Sequence, residues 1–378
     1  MSVRILALVG DAFGGKGGIS QYNRDLISAW SALGMVKQVV VLPRFASPSS
    51  LSVPEKVVQH PPAGSALLYS LRAIKHAVRR DRFDVVFCGH LHMMPLAVII
   101  SKLSGAPIWL QVHGIEAWSK PSDFVRWCGE KAVLVTAVSR HTRRQFLRWA
   151  SIDPNRVLVL PNTVGEQFVP DEDRISAKKK YGLTGKRVLL TVSRLAKSER
   201  YKGHDRIIRN LPKIMEKVGN LIYVIAGDGD MRCELEELVR YEKLEDFVVF
   251  MGQIENSKLP TMYRAADIFV MPSSGEGFGI VFLEALACGT PVIAGNSDGA
   301  GDPLHDGNLG VLSDAQELPV EIHRLLSSPR CIGGSRTSDR ELERSTRRYF
   351  GRAVFDDLVK KATEWFEYAP CSDPRPNS

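Results

Sequence analysis

The chain has 378 residues, 44% of them hydrophobic and 24% charged, with six cysteines and a formal net charge of +8. These values lie near the globular average, which excludes a disordered, collagen-like or disulfide-scaffold protein, and at roughly 100 to 200 residues per domain they predict two folding units. The charge is uneven, because residues 1–165 carry 20 Lys and Arg against 9 Asp and Glu while the remainder carries 30 against 33. A basic first half suits an anionic neighbour, a phospholipid surface or a nucleic acid, and it equally suits ordinary solvated surface.

At the N-terminus one Arg precedes a short strand-like stretch, without the apolar core and cleavage site of a signal peptide. The longest apolar run, 93–100, stops at Ser101 and Lys102, short of the roughly 18 to 20 residues that span a bilayer. The expectation is a cytoplasmic protein that does not cross the membrane. Runs at 5–9, 38–42, 85–88, 108–112, 133–138 and 157–160 are dense in Val, Ile and Leu on both faces, as strands buried in a parallel sheet are. Helical stretches at 19–33, 65–79 and 139–149 lie between them. Residues 161–173, with Pro161, Gly165 and Pro170, read as a linker. The alternation restarts with strands at 187–192, 221–226, 247–250, 268–271 and 291–294, and helices near 205–218, 231–241 and 279–288. Two α/β domains in tandem follow. A last helical pattern covers 351–368, and the proline-bearing tail 370–378 is expected to fray. Cys88, Cys128, Cys233, Cys288, Cys331 and Cys371 form no C-x-x-C pair, which argues against a disulfide framework or a zinc site.

Four places carry residues suited to chemistry. Gly10-Asp-Ala-Phe-Gly-Gly-Lys-Gly17-Gly18 follows the first strand. It is neither a Walker loop nor a G-x-G-x-x-G turn, but its glycines let backbone approach a ligand and free the next helix N-terminus. His113 sits at the carboxyl end of the strand 108–112, where ligands bind in parallel sheets. It suits donation to a hydroxyl or proton transfer, and equally a structural hydrogen bond. His90 and His92 read as edge or core histidines rather than metal ligands. Arg194 and Lys202 lie in the loop Ser193-Arg194-Leu-Ala-Lys197-Ser-Glu-Arg200-Tyr-Lys202-Gly. Cations there suit a diphosphate leaving group, and a solvated basic loop is the other reading. The densest cluster is Pro272-Ser-Ser-Gly-Glu276-Gly-Phe278-Gly279-Ile-Val-Phe-Leu-Glu284-Ala, a Gly/Ser loop between strand and helix that offers N–H groups to an anion. Taken alone, its two carboxylates also suit a turn residue and a half-exposed helix position.

This last cluster, continuing into Ala-Leu-Ala-Cys-Gly-Thr-Pro-Val-Ile-Ala, resembles the retaining glycosyltransferases of family 4. The resemblance implies the α/β GT-B fold, two Rossmann-like domains facing across a cleft. It implies an acceptor domain at 1–165, a nucleotide-sugar domain at 170–345 and a helix at 350–368 returning to the first. It assigns Glu276 to the donor sugar and Glu284 to the ribose, with Phe278 and Gly279 in the donor-binding turn. Arg194 and Lys202 then serve the diphosphate, His113 approaches the sugar, and Gly17 and Gly18 line the cleft. No metal or other cofactor is implied. One departure stands out, Ser297-Asp298-Gly-Ala-Gly-Asp302 where the family has Gly-Gly-x-x-Glu, and Asp302 is the candidate replacement.

The resemblance implies transfer of a hexose with retention by front-face displacement, GDP-mannose being the first choice of donor and UDP-glucose or another UDP-sugar the alternative. The implied acceptor is an oligosaccharide on a polyprenyl diphosphate in bacterial surface or exopolysaccharide synthesis. An anionic inner leaflet would meet Lys75, Arg79, Arg80, Arg82 and Arg140, Arg143, Arg144 and Arg148, with Phe146 or Trp149 assisting. The other readings are a nucleotide-sugar epimerase on the same fold and a non-catalytic basic adaptor. Sparse aromatic interleaving speaks against nucleic acid as the partner.

Overall fold

The computed structural model describes residues 2–45, 52–78, 82–171, 173–327, 331–332, 335–336 and 338–368. The chain divides into two compact units, Met1–Asn162 with a C-terminal segment from Ala353, and Thr163–Arg352.

The first unit contains β1 Val3–Val9, α1 Gly18–Ala32, β2 Val36–Pro43, β3 Val57–Gln59, α2 Ala66–Ala77, β4 Val85–Cys88, α3 Met94–Ser104, β5 Ile108–Val112, α4 Asp123–Gly129, β6 Leu134–Ala137, α5 Arg140–Leu147 and β7 Val157–Val159. Its sheet runs β3-β2-β1-β4-β5-β6-β7, parallel throughout. Because crossover helices cover both faces, the strand residues are buried on both sides, which is why they do not alternate with polar ones. Trp30 of α1 packs edge-on against Phe87 and Trp109 at 5.0 and 5.3 Å, so one helix face is pinned to two strands by rings.

The second unit contains α6 Arg174–Lys180, β8 Arg187–Val192, α7 His204–Met215, β9 Leu221–Ala226, α8 Arg232–Tyr241, β10 Val248–Gly252, α9 Leu259–Ala265, β11 Ile268–Met271, α10 Ile280–Ala287, β12 Val292–Gly295, β13 Val311–Ser313, α11 Leu318–Ser327 and α12 Asp339–Phe350. Its sheet, β10-β9-β8-β11-β12-β13, is again parallel. Helix α7 buries Ile207, Ile208, Leu211 and Ile214, a single stripe at helical spacing, against that sheet. Helix α12 opens on a reciprocal capping box between Ser338 and Glu341. The last helix, α13 Arg352–Tyr368, packs in the first unit, with Phe355 edge-on to Tyr22 and Phe366 stacked on Trp109.

In both units the strand order reverses beside the first strand, between β1 and β4 and between β8 and β11. Loops leaving the carboxyl ends of strands at such a reversal diverge and leave room for a ligand.

Several surface expectations need correction. The Arg143 guanidinium donates to the Val157 and Pro154 carbonyls at 2.6 and 2.8 Å, so it ties α5 to its own unit. Phe146 is fully buried, and Trp149, also buried, donates its indole N–H to Ala117 O at 2.8 Å. Neither ring is available to a membrane, because both complete the core beneath α5. Arg79, Arg80 and the tail 370–378 lie outside the described residues. Cys88, Cys128 and Cys288 are buried free thiols, Cys88 and Cys288 pushed up to about 12 by burial, and Cys233 is free and exposed. The side chains of Cys331 and Cys371 lie outside the described residues. Among those residues no helix is long and apolar enough to cross a membrane.

Candidate active site

Two loops of the second unit leave the strands that flank its reversal of order. The first runs from β8 through a 3-10 turn, Lys197–Lys202, to Gly203 and α7. Gly203 has φ 80°, and a Cβ there would stand 2.9 Å from Pro272 O, so only glycine lets the first loop approach the second. The second loop, 272–279, leads from β11 into α10, whose N-cap Gly279 has φ 88° and supplies no side-chain cap. The first amides of α10 therefore lack the side-chain partner that usually closes a helix start, the condition for anion binding there.

Charge is concentrated where these loops meet. Glu199, 8% exposed, takes Arg194 through its Oε1, and its Oε2 lies 3.2 Å from Lys202 Nζ. The same ammonium is 3.5 Å from Glu276 Oε1. The structure thus brings Arg194, Lys202 and Glu276 together, with Glu199 between the cations. Lys202 and Glu276 are mostly buried while the Arg194 side chain is 74% exposed, so the lysine is the strongly held cation and the arginine pair is weakened by solvent. Glu276 Oε1 is buried without a hydrogen-bond partner, so the Lys202 ammonium is what offsets its charge. His204 adds no charge, since burial pulls its pKa down to about 4 and Lys202 adds to the effect. Of the other two basic residues in the loop, Arg200 pairs with Glu234 and Lys197 is exposed.

A further carboxylate was missed by the sequence reading. Asp298 is 7% exposed, and its Oδ2 accepts from Ser273 Oγ and from the Glu276 amide, both at 2.7 Å. Its Oδ1 accepts from the Ala300 amide at 2.9 Å. Burial pushes its pKa up to about 6, opposed by these bonds. The signal for it in the sequence is the departure at 297–302, which also offers Asp302; that residue is half-buried, with its amide on Gly299 O at 3.2 Å.

Glu284 is half-buried on α10, and its Oε2 accepts from the buried Tyr263 hydroxyl at 2.7 Å. Burial, with Glu284 beside it, holds that phenol protonated. In the first unit Gly17, φ 96°, is the N-cap of α1 and Gly18 its first residue, again without a side-chain cap. His113 follows β5 with Nε2 3.1 Å from Gly89 O and its ring edge-on to Tyr22 at 5.1 Å. A carbonyl only accepts, so Nε2 carries the proton and Nδ1 the lone pair. Burial lowers the His113 pKa to about 4, so at neutral pH the ring is uncharged, with Nε2 making the structural hydrogen bond that the sequence allows and Nδ1 an acceptor. The His90 and His92 rings lie 5.2 Å apart, and no group of three or more metal-ligating side chains occurs among the described residues.

Residues 16–167 match the family described as Glycosyltransferase Family 4, and residues 173–338 match Glycosyl transferases group 1. The GDP-mannose-dependent alpha-(1-6)-phosphatidylinositol monomannoside mannosyltransferase of Mycolicibacterium smegmatis is 32% identical over 275 residues, covering 68% of this chain and 71% of that protein. The chain belongs to glycosyltransferase family 4. The protein of the same description from Mycobacterium tuberculosis is 28% identical over 337 residues, 83% of this chain and 86% of the relative. Among solved structures, Anabaena HepE in complex with UDP and glucose superposes with a TM-score of 0.76 at 20% identity, covering 95% of this chain and 99% of that one. Sucrose-phosphate synthase from Thermosynechococcus elongatus gives 0.77 at 21% identity, covering 97% and 100%. The two Rossmann-like domains are those of the GT-B fold, and this family-4 protein is a hexosyltransferase acting on a nucleotide sugar.

Proposed function

We propose that this glycosyltransferase takes mannose from GDP-mannose, with retention, and passes it to a lipid-linked acceptor in the synthesis of a bacterial surface polysaccharide or glycolipid. The observation that carries the reading is the buried Lys202 ammonium held beside Glu276, with Arg194 joined to it through Glu199. On this reading Lys202 and Arg194 serve the diphosphate, Glu276 the sugar and Glu284 the ribose, at the turn of Phe278 and Gly279. His113, Gly17 and Gly18 complete the donor and acceptor contacts. The bond from sugar C1 to the diphosphate oxygen breaks and the acceptor oxygen bonds C1 on the same face. Its proton passes to the leaving phosphate. Negative charge grows on that phosphate, so fixed cations lower the barrier more than they stabilise the ground state. Because these cations do the neutralising, turnover is expected to survive exhaustive EDTA treatment; abolition with rescue by Mg2+ or Mn2+ would overturn that part.

The mycobacterial relatives' names support GDP-mannose and a lipid acceptor. A membrane-borne acceptor also fits the outer face of α2, α3 and α4, which pack side by side. Leu67, Leu71, Ile99, Leu103, Phe124 and Trp127 are exposed there, and α2 and α3 contain no acidic residue. Lys102 and Lys131 lie 5.8 and 5.1 Å from the Trp127 ring. Apolar side chains rimmed by lysines suit an anionic lipid surface, and this face replaces α5 as the membrane contact.

A donor-hydrolysis screen tests the reading. Release of mannose from GDP-mannose in preference to glucose from UDP-glucose is the expected result, and turnover of UDP-glucose alone would replace the donor.

A further inference from the structure

The Glu276 side chain faces Lys202 because its backbone is held on both sides by one short segment. Asp298 Oδ2 accepts the Glu276 amide at 2.7 Å, and the Gly299 amide donates to Glu276 O at 2.8 Å. The approach is close enough that a Cβ on Gly299 would stand 2.1 Å from Gly277 O. Asp298 also accepts from Ser273 Oγ, at the start of the same loop. One buried carboxylate therefore anchors the loop at its root and at the residue assigned to the sugar. Nothing in the chemistry of a glycosyl donor requires Asp298 to touch it.

We propose that Asp298, in its ionised form, is a positioning residue of the transfer reaction, one that fixes the Glu276 peptide and so aims the Glu276 carboxylate, and that protonation of Asp298 slackens this anchor. The inference rests on the reading of Glu276 as the sugar contact. An ionised carboxylate only accepts, which matches the three donors around it; a protonated one must turn its O–H either on an amide donor, losing that bond, or on Ser273 Oγ, which then accepts instead of donating. The value near 6 places this change just below neutrality. The titratable groups nearby are Glu276, whose charge adds to the upward push, and Tyr201, held protonated by burial, with Lys202 and Glu199 beyond Glu276. Asp302, His305 and Asp306 follow on its own segment. Since the folded-state value is raised above that of a free carboxylate, this group's share of stability is fully present at acid pH and is lost as pH rises through about 6. Activity that depends on the ionised form runs the other way. A residue serving stability alone would not separate the two.

The test compares wild type, Asp298→Asn and Ser273→Ala, reading GDP-mannose hydrolysis, GDP affinity by calorimetry, and melting temperature, across pH. Near neutral pH, Asp298→Asn is expected to lower kcat about 10- to 100-fold, the range for a misplaced catalytic group, with GDP affinity within about 3-fold of wild type. Wild-type kcat should fall on the acid side through about pH 6 without a matching fall in melting temperature, and Asp298→Asn should lose that limb. Ser273→Ala, which keeps the charge, should cost about 2- to 5-fold and keep the limb. Unchanged kcat in Asp298→Asn, or parallel loss of kcat, GDP affinity and melting temperature, overturns the proposal. If Asp298→Asn does not fold, the wild-type limb and Ser273→Ala decide: absence of the limb overturns it. Failure of wild type to hydrolyse GDP-mannose while it turns over another nucleotide sugar overturns only the donor, and the same variants are then read with that sugar.

Discussion

The two units share a parallel sheet and the same reversal of strand order, yet they furnish their strand ends differently. After β1 and β5 the first unit presents main-chain N–H groups at the Gly17–Gly18 helix start and a neutral imidazole. After β8 and β11 the second presents two cations and two carboxylates within a few ångströms of one another. The shared topology sets where a ligand can sit, and the loop residues decide what it must be. A site of neutral donors and acceptors selects by shape and hydrogen bonding. A site with full charges, mostly buried, selects a compact anion and can respond to charge that develops during reaction.

The contrast breaks if removing one charge in the second unit costs no more than removing a polar group in the first. Lys202→Met should therefore show the largest effect, a fall of about 100- to 1,000-fold in GDP-mannose turnover, measured as GDP release at steady state. A loss below about 10-fold would mean that Arg194 alone suffices. Glu284→Ala is expected to weaken GDP affinity about 10-fold, or about 1.4 kcal/mol, with a smaller change in kcat, because its assigned partner is the ribose. Calorimetry settles whether the loss lies in binding. In the first unit, His113→Gln should sharpen the comparison through stability. The lowered pKa means the folded protein resists protonation there, so this group's contribution is present above the ordinary histidine value and lost as pH falls toward about 4. The melting temperature of the variant should accordingly decline less than that of wild type between neutral and mildly acid pH. The smallest effect is expected on the surface: Arg144→Ala on α5 should alter sedimentation with anionic vesicles by less than about two-fold, whereas Phe124→Ser with Trp127→Ser should largely abolish it.

The sheets were legible because strands such as Leu221–Ala226 and Ile268–Met271 are buried on both faces and stay apolar from end to end. The short edge strand Val57–Gln59 gave no such run, since only one of its three residues is fully buried. Helix α3 read as no more than an apolar run, because its exposed face carries Ile99 and Leu103 where an amphipathic helix has polar residues. In the site, Glu276 and Lys202 could be found from local motifs. Glu199 and Asp298 could not, since what makes each important is burial created by another loop, 22 residues away in the bond from Glu276 to Asp298. Arg143 of α5 was misplaced for the same reason. Its neighbours Arg140, Arg144 and Arg148 are exposed, but whether the Arg143 guanidinium meets solvent or a carbonyl depends on the strand that follows.

The return of α13 to the first unit bears on how the protein is made. Translation delivers residues 163–352 before Phe355, Val359 and Ala362 exist, and those three residues are buried in the first unit. On a ribosome, domains tend to close in the order of synthesis. Here the later unit can close first, while the earlier one waits with Tyr22 and Trp109 still lacking their ring partners from α13. A nascent chain halted near Arg352 should hold a protease-resistant second unit beside a first unit that binds hydrophobic dyes. Any attempt to produce the first unit separately has to splice residues 353–368 onto residue 162, because a cut at the linker alone removes part of its interior.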